Sequence, residues 1–131
     1  MHHSIRGCDK FGCGHFGAKR GDRTHRGVDL VVTAGNPFES LCAGKVTKLG
    51  YVYKGDMKLR YVEVTTDSGH RWRFHYVSPA VSVGSLVKVG DLLGAVQSLQ
   101  GRYPGITDHV HFEIIDSSGE YLDPTPTVEG D

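Results

Sequence analysis

Six of the eight histidines lie beyond the first four residues, and four of these fall in patterns able to do chemistry. The densest is His109-Val110-His111-Phe112-Glu113-Ile114. Strand side chains alternate between faces, so His109, His111 and Glu113 share one face and Val110, Phe112 and Ile114 the other. The apolar set takes the core, which leaves two imidazoles on the open face, about 7 Å apart along the strand. A second pattern is His25-Arg26-Gly27-Val28-Asp29. Gly27 and the apolar run that follows argue for a loop entering a strand, and such a turn can bring both side chains to one point. A third lies in His70–Tyr76, where Trp72, Phe74 and Tyr76 alternate with Arg71, Arg73 and His75. The aromatic set goes to the core, and His75 joins the polar face.

Each pattern alone has a plainer reading: a solvated imidazole, or a surface turn with an ordinary charged contact. Together they fit a catalytic zinc site, which keeps three protein ligands and one open position. His25, Asp29 and one of His109 and His111 supply the three, and the remaining face histidines are free to move protons. The helical His-Glu-x-x-His design is absent. Nor does any nucleophile sit in a Gly-x-Ser-x-Gly elbow, which leaves a serine or Cys42 hydrolase with little support.

The elements that must hold these groups are strands. At 131 residues the chain makes one domain, all-β and antiparallel: a curved sheet with a small second sheet, or a small barrel-like sandwich. Strands are expected at Val28–Val32, Gly44–Leu49, Arg60–Thr66, His70–Tyr76, Leu92–Gln97 and His109–Ile115, and at Val81–Val89 broken by Gly84. Asp67-Ser68-Gly69 is the turn of a hairpin. Gly50–Leu59 and Leu99–Asp108 read as loops walling a groove. Residues 1–24 read as an irregular arm and 25–131 as the domain proper. Fifteen basic residues balance fifteen acidic ones, which excludes broad electrostatic binding to nucleic acid or anionic membranes. No aliphatic stretch is long enough to span a bilayer. Met1-His2-His3-Ser4 lacks the apolar core of a signal peptide and is compatible with a leader already removed. Cys8 and Cys13 suit a small disulfide-closed turn; the rival, a zinc pair, lacks two further ligands nearby, with only His15 close. Cys42, between Leu41 and Ala43, reads as a buried free thiol.

The ordered set His25-x-x-x-Asp29 and His109-x-His111-Phe112-Glu113 resembles the lysostaphin-type zinc endopeptidases. Between them, Ala43-Gly44-Lys45-Val46 looks like that family's Gly-x-Val strand, Val87-Lys88-Val89-Gly90-Asp91 like its Gly-Asp turn, and Asp123-Pro124 like its close. Within the family, Cys8–Gly14, Gly27-Val28-Asp29, Tyr103-Pro104-Gly105-Ile106 and Asp116-Ser117-Ser118 are similar to the vertebrate leukocyte chemotaxin branch. The resemblance implies Zn²⁺ on His25, Asp29 and His111, with His75 and His109 as the catalytic histidines that do not ligate it. The family reads Tyr-x-His-Leu where this chain has Arg73-Phe74-His75-Tyr76. A register one residue later would put Tyr76 in the catalytic place. Alternation, which buries Tyr76 with Trp72 and Phe74, favours His75. The implied function is metal-assisted hydrolysis of peptide cross-links in bacterial peptidoglycan, or of another peptide rich in small residues, by a secreted, antibacterial, monomeric enzyme. Glu113 is either a carboxylate orienting a ligand imidazole or a solvated side chain. The alternative function is a zinc-containing signalling factor of the chemotaxin type that binds a cell-surface receptor and cleaves nothing.

Overall fold

Residues 3–20 and 23–129 are described by a computed structural model. The strands are β1 (Cys8–Asp9), β2 (Gly12–Cys13), β3 (Lys19–Arg20), β4 (Arg23–Thr24), β5 (Val28–Val31), β6 (Pro37–Glu39) and β7 (Gly44–Tyr53). They continue with β8 (Asp56–Thr65), β9 (Arg71–His75), β10 (Val77–Pro79), β11 (Leu86–Val87), β12 (Leu92–Val96), β13 (His109–Ile115) and β14 (Tyr121–Leu122), and α1 (Thr125–Glu129) is a short helix. The main antiparallel sheet runs β11-β7-β8-β9-β13-β14, and β5 also pairs with β13. A smaller sheet, β10-β12-β6, packs on it, and β1-β2 and β3-β4 are separate ribbons. No helix among the described residues is long and apolar enough to cross a membrane.

Strand register explains both the core and the site. Val62, Phe74, Phe112 and Val28 lie opposite one another across β8, β9, β13 and β5, and all four are fully buried. They meet Phe38 of the smaller sheet, whose ring centre is 5.4 Å from that of Phe74. Burying each such side chain contributes about 1.5–3 kcal/mol. One residue along each strand, on the opposite face, runs a second row: Tyr61, His75, His111 and Asp29. The next row on that face is Glu63, Arg73 and Glu113. The hydrophobic pattern that fixes the first row therefore fixes the other two.

Three expectations need correction. Gly50–Leu59 is not a loop: β7 and β8 continue through it and turn at Lys54-Gly55, with Gly55 at positive φ. Gly50 stands within β7 because the Tyr61 ring fills the space a Cβ there would need. Of Val81–Val89, only Leu86–Val87 is strand. The arm also has more order than its composition suggests. Ile5 bridges Leu30, and Arg6 N–H donates to the Asp29 carbonyl at 2.7 Å, so the arm lies along β5. Leu99–Asp108 remains without strand or helix, and Asp67-Ser68-Gly69 makes the β8–β9 turn, as expected.

Candidate metal centre

His25 enters just before β5, held by backbone hydrogen bonds with Ala18 and Gly17. Gly27 makes this path possible: a Cβ there would collide with the Phe112 carbonyl of the neighbouring strand. His25 Nε2 lies 3.0 Å from Asp29 Oδ1 and 3.0 Å from His111 Nδ1, and His111 Nδ1 is 3.1 Å from Asp29 Oδ1. Two metal–ligand bonds of 2.0–2.1 Å at a tetrahedral angle separate their donors by about 3.3 Å. The triangle therefore fits one small ion with little movement.

Outer contacts decide which way the lone pairs point. His25 Nδ1 donates to the His15 carbonyl (3.0 Å), which leaves Nε2 bare toward the centre. His111 Nε2 donates to Glu113 Oε1 (2.8 Å), which does the same for Nδ1. Asp29 Oδ2 accepts from Arg6 Nε and Nη2 at 3.2 and 3.0 Å, so Oδ1 is free to face inward. Three acceptor atoms thus converge with no proton supplied from outside, which is the chemistry of a cation site. Burial disfavours charge on Asp29, but its bonds with His111 and His25 outweigh burial and hold the carboxyl well below the usual range. Burial likewise opposes a charged His111, yet its bonds to Asp29 and Glu113 lift it to about 9. A proton therefore balances this triangle when no metal does.

His109 is buried, and its Nδ1 donates to the Thr107 carbonyl at 2.7 Å. Its Nε2 is consequently the acceptor, 3.5 Å from Asp29 Oδ2. Burial lowers its pKa and keeps the ring neutral. Tyr76 departs from the alternation of β9. Its φ of 74° is the one positive value at a non-glycine position among the described residues. The turn rotates its side chain away from Trp72 and Phe74 into a cluster with Leu59, Leu99 and Ile106. The expectation that Tyr76 packs beside Trp72 and Phe74 is thereby overturned. Its ring stands edge-on to His109, with centres 5.5 Å apart. Its hydroxyl lies 2.8 Å from that of Tyr53, which lies 2.6 Å from that of Tyr103. Burial pushes the Tyr76 phenol far above its ordinary range, so it stays protonated.

His75 occupies the other flank of His111, with ring centres 4.8 Å apart. Burial, then the neighbouring His111, pushes it down to about 3. Its Nε2 is buried without a hydrogen-bond partner. Glu113 is buried rather than solvated: burial opposes its charge, but the bond from His111 together with the neighbouring His75, His111 and Arg73 lowers its pKa. A pocket of about 450 Å³ opens over this group, lined by all five sequence-chosen residues together with Tyr53, Tyr76 and Tyr103.

Arg6 escaped the sequence reading because it sits in a glycine-rich arm without periodicity. Its Nη1 also reaches the Gly12 carbonyl (3.1 Å) and Asp9 (2.9 Å). Both belong to the ribbon closed by the Cys8–Cys13 disulfide, so the bridge locks the clamp on Asp29. The disulfide and the buried free Cys42 are as expected.

The sequence profile of peptidase family M23 matches residues 23–124. The chain belongs to that family. The match contains His25, Asp29, His75, His109 and His111, and leaves Arg6 and the disulfide outside. Among relatives of the M23 chain, mouse leukocyte cell-derived chemotaxin-2 is 36% identical over 121 residues, 92% of this chain and 77% of the chemotaxin. Lysostaphin of Staphylococcus simulans is 30% identical over 110 residues, 80% of this chain and 21% of that protein. The solved catalytic domain of the antimicrobial peptidase lysostaphin superposes with a TM-score of 0.69 at 25% identity, covering 91% of each chain. The fold is that of the lysostaphin catalytic domain.

Proposed function

We propose that this protein is a secreted, monomeric, zinc-dependent endopeptidase that hydrolyses peptide cross-links of bacterial peptidoglycan. The observation that carries this reading is the convergence of His25 Nε2, Asp29 Oδ1 and His111 Nδ1, with the acceptor Nε2 of His109 beside them in an open pocket. Zn²⁺ suits two nitrogens and one carboxylate oxygen with a position left open; bound there, it supplies a Lewis acid for a carbonyl and lowers the pKa of water. Secretion agrees with the disulfide. A relative described as a glycyl-glycine endopeptidase, from Staphylococcus capitis, is 30% identical over 110 residues and supports glycine-rich peptide as the substrate class.

In this reading His109, neutral and fixed in one tautomer by Thr107, takes a proton at Nε2. The second catalytic place, which the sequence assigned to His75, goes to Tyr76. Arg102 Nε–H donates to Tyr103 (3.4 Å), and the chain continues through Tyr53 to Tyr76. With each hydroxyl donating to the next, the Tyr76 proton is left to point at an oxyanion in the pocket. His75 remains the rival, since its Nε2 is unspent.

A second reading rests on the same Tyr76. A phenol held protonated cannot accept a proton, so with Tyr76 in the second catalytic place His109 is the one imidazole base of that pair, where the resembled peptidases use two. A zinc-stabilised, chemotaxin-like factor that binds a cell-surface receptor needs no more. Digestion of peptidoglycan and of a glycine-rich peptide by zinc-loaded protein, with and without chelator, separates the two. Chelator-sensitive fragments support the peptidase. No fragments from fully loaded protein would leave the binding factor.

A further inference from the structure

The geometry points to a second divalent-cation site on the far side of His111, formed by His75, His111 and Glu113 with the His111 imidazole bridging the two ions. This rests on the reading of His25, Asp29 and His111 as the first metal site.

Sheet register builds the second group as surely as the first. His75 is the cross-strand partner of His111, and Glu113 follows two residues along the same face of β13. One donor atom from each lies within 4.8 Å of the others. His111 Nε2 is 2.8 Å from Glu113 Oε1, and His75 Nε2 is 3.8 Å from Glu113 Oε2. The independent sign of a missing ligand is His75 Nε2. It is buried from solvent and meets no hydrogen-bond partner, although buried polar atoms are nearly always satisfied. Two imidazole nitrogens and a carboxylate are donors suited to Zn²⁺ or Cu²⁺.

The surrounding charges allow a second cation. Arg73 Nη1 lies 3.7 Å from Glu113 Oε2, but Arg73 Nε is bound to Glu63 Oε2 at 2.7 Å, so its charge is already matched. Asp29 is likewise matched by Arg6 at 3.0 Å, which leaves Glu113, and His111 once it has lost its proton, to balance incoming cations. Loading the site displaces the proton held between His111 Nε2 and Glu113 Oε1, which leaves to solvent. His111 becomes an imidazolate, bound through Nδ1 to one ion and through Nε2 to the other. With bonds of 2.0–2.1 Å and the width of an imidazole ring, the ions lie about 6 Å apart. Because its binding must expel a proton and share a ligand, the second ion binds more weakly than the first.

The test is zinc uptake by the whole protein at equilibrium dialysis, read as metal per chain, with thermal melting to verify folding. Wild type should take up a tight ion and then a weaker one. His75→Ala and the shape-preserving Glu113→Gln should each lower the total by one and keep the tight ion, whereas His25→Ala should lose the tight ion. Copper(II) in both positions should show the antiferromagnetic coupling of an imidazolate-bridged pair in its paramagnetic resonance spectrum, absent in His75→Ala. Equal uptake by wild type and a folded His75→Ala would overturn the second site, and so would copper without coupling. One ion per wild-type chain, lost in His25→Ala, would overturn the second site and leave the first intact. No ion in wild type would overturn both.

Discussion

Tyr76→Phe removes one oxygen from the pocket and nothing else. The ring retains its edge-on contact with His109 at 5.5 Å and its packing with Leu59, Leu99 and Ile106. The structural loss is one hydroxyl–hydroxyl bond to Tyr53, about 0.5–1.5 kcal/mol of stability. If the phenol donates to the oxyanion, the kinetic loss is that of an oxyanion donor, roughly 10²–10³-fold or about 2.7–4 kcal/mol. The two magnitudes separate, because a destabilisation near 1 kcal/mol leaves the protein folded in the assay. We expect kcat/KM on a glycine-rich peptide to fall at least about 10²-fold in Tyr76→Phe, with the zinc bound at His25, Asp29 and His111 retained. Tyr103→Phe, which removes the upstream donor of the hydroxyl chain, should cost less, about tenfold or below. His75→Ala, measured with one zinc per chain, should also stay within about tenfold, since in this reading His109 and Tyr76 hold the roles of base and oxyanion donor and His75 only packs edge-on against the Tyr76 ring at 6.1 Å. A Tyr76→Phe enzyme within threefold of wild type, set against a His75→Ala enzyme down 10²-fold with its zinc in place, would refute the Tyr76 assignment. The alternation argument for His75 would then have found the right residue for a reason the structure does not support.

His109→Ala should lower cleavage about 10²–10⁴-fold while keeping the metal, because it removes a base and no ligand; zinc analysis beside a rate assay checks both. His111→Ala should lose the ion outright on dialysis against buffer. Cys8→Ser should weaken zinc binding about 10–100-fold in competition with a chromophoric chelator, because it loosens the ribbon through which Arg6 holds Asp29; an unchanged affinity would show that Arg6 needs no lock. Thiol titration should find one reactive group in denatured, non-reduced protein and almost none in folded protein at pH 8, since burial pushes Cys42 up to about 11. Gly27→Ala should lower the melting point, with about 1–3 kcal/mol lost as its Cβ forces β5 away from Phe112.

Legibility in the sequence followed the reach of the periodicity. The alternation Val110, Phe112, Ile114 against His109, His111, Glu113 survives folding residue for residue, because a buried face leaves a strand no freedom to slip. The same rule made Tyr76 misleading. Alternation holds only while the backbone stays extended, and at φ 74° the residue after β9 leaves the pattern although its neighbours obey it. A positive φ at a tyrosine is a strained state that the surrounding structure must enforce, here through three linked hydroxyls and a buried ring, and a sequence does not display that enforcement. Arg6 was illegible for a different cause. Its partner Asp29 is 23 residues away, and the arm carrying it has no apolar repeat to report which face it presents. Of the two readings left open for Glu113, the carboxylate orienting a ligand imidazole agrees with the structure and the solvated one does not, for a third reason: two-sided alternation says which side chains leave the core, not what then covers them. That cover is the crowding of His75, Arg73 and His111 around one carboxylate, so the polar face of this sheet is itself an interior, and the chemistry is buried with it.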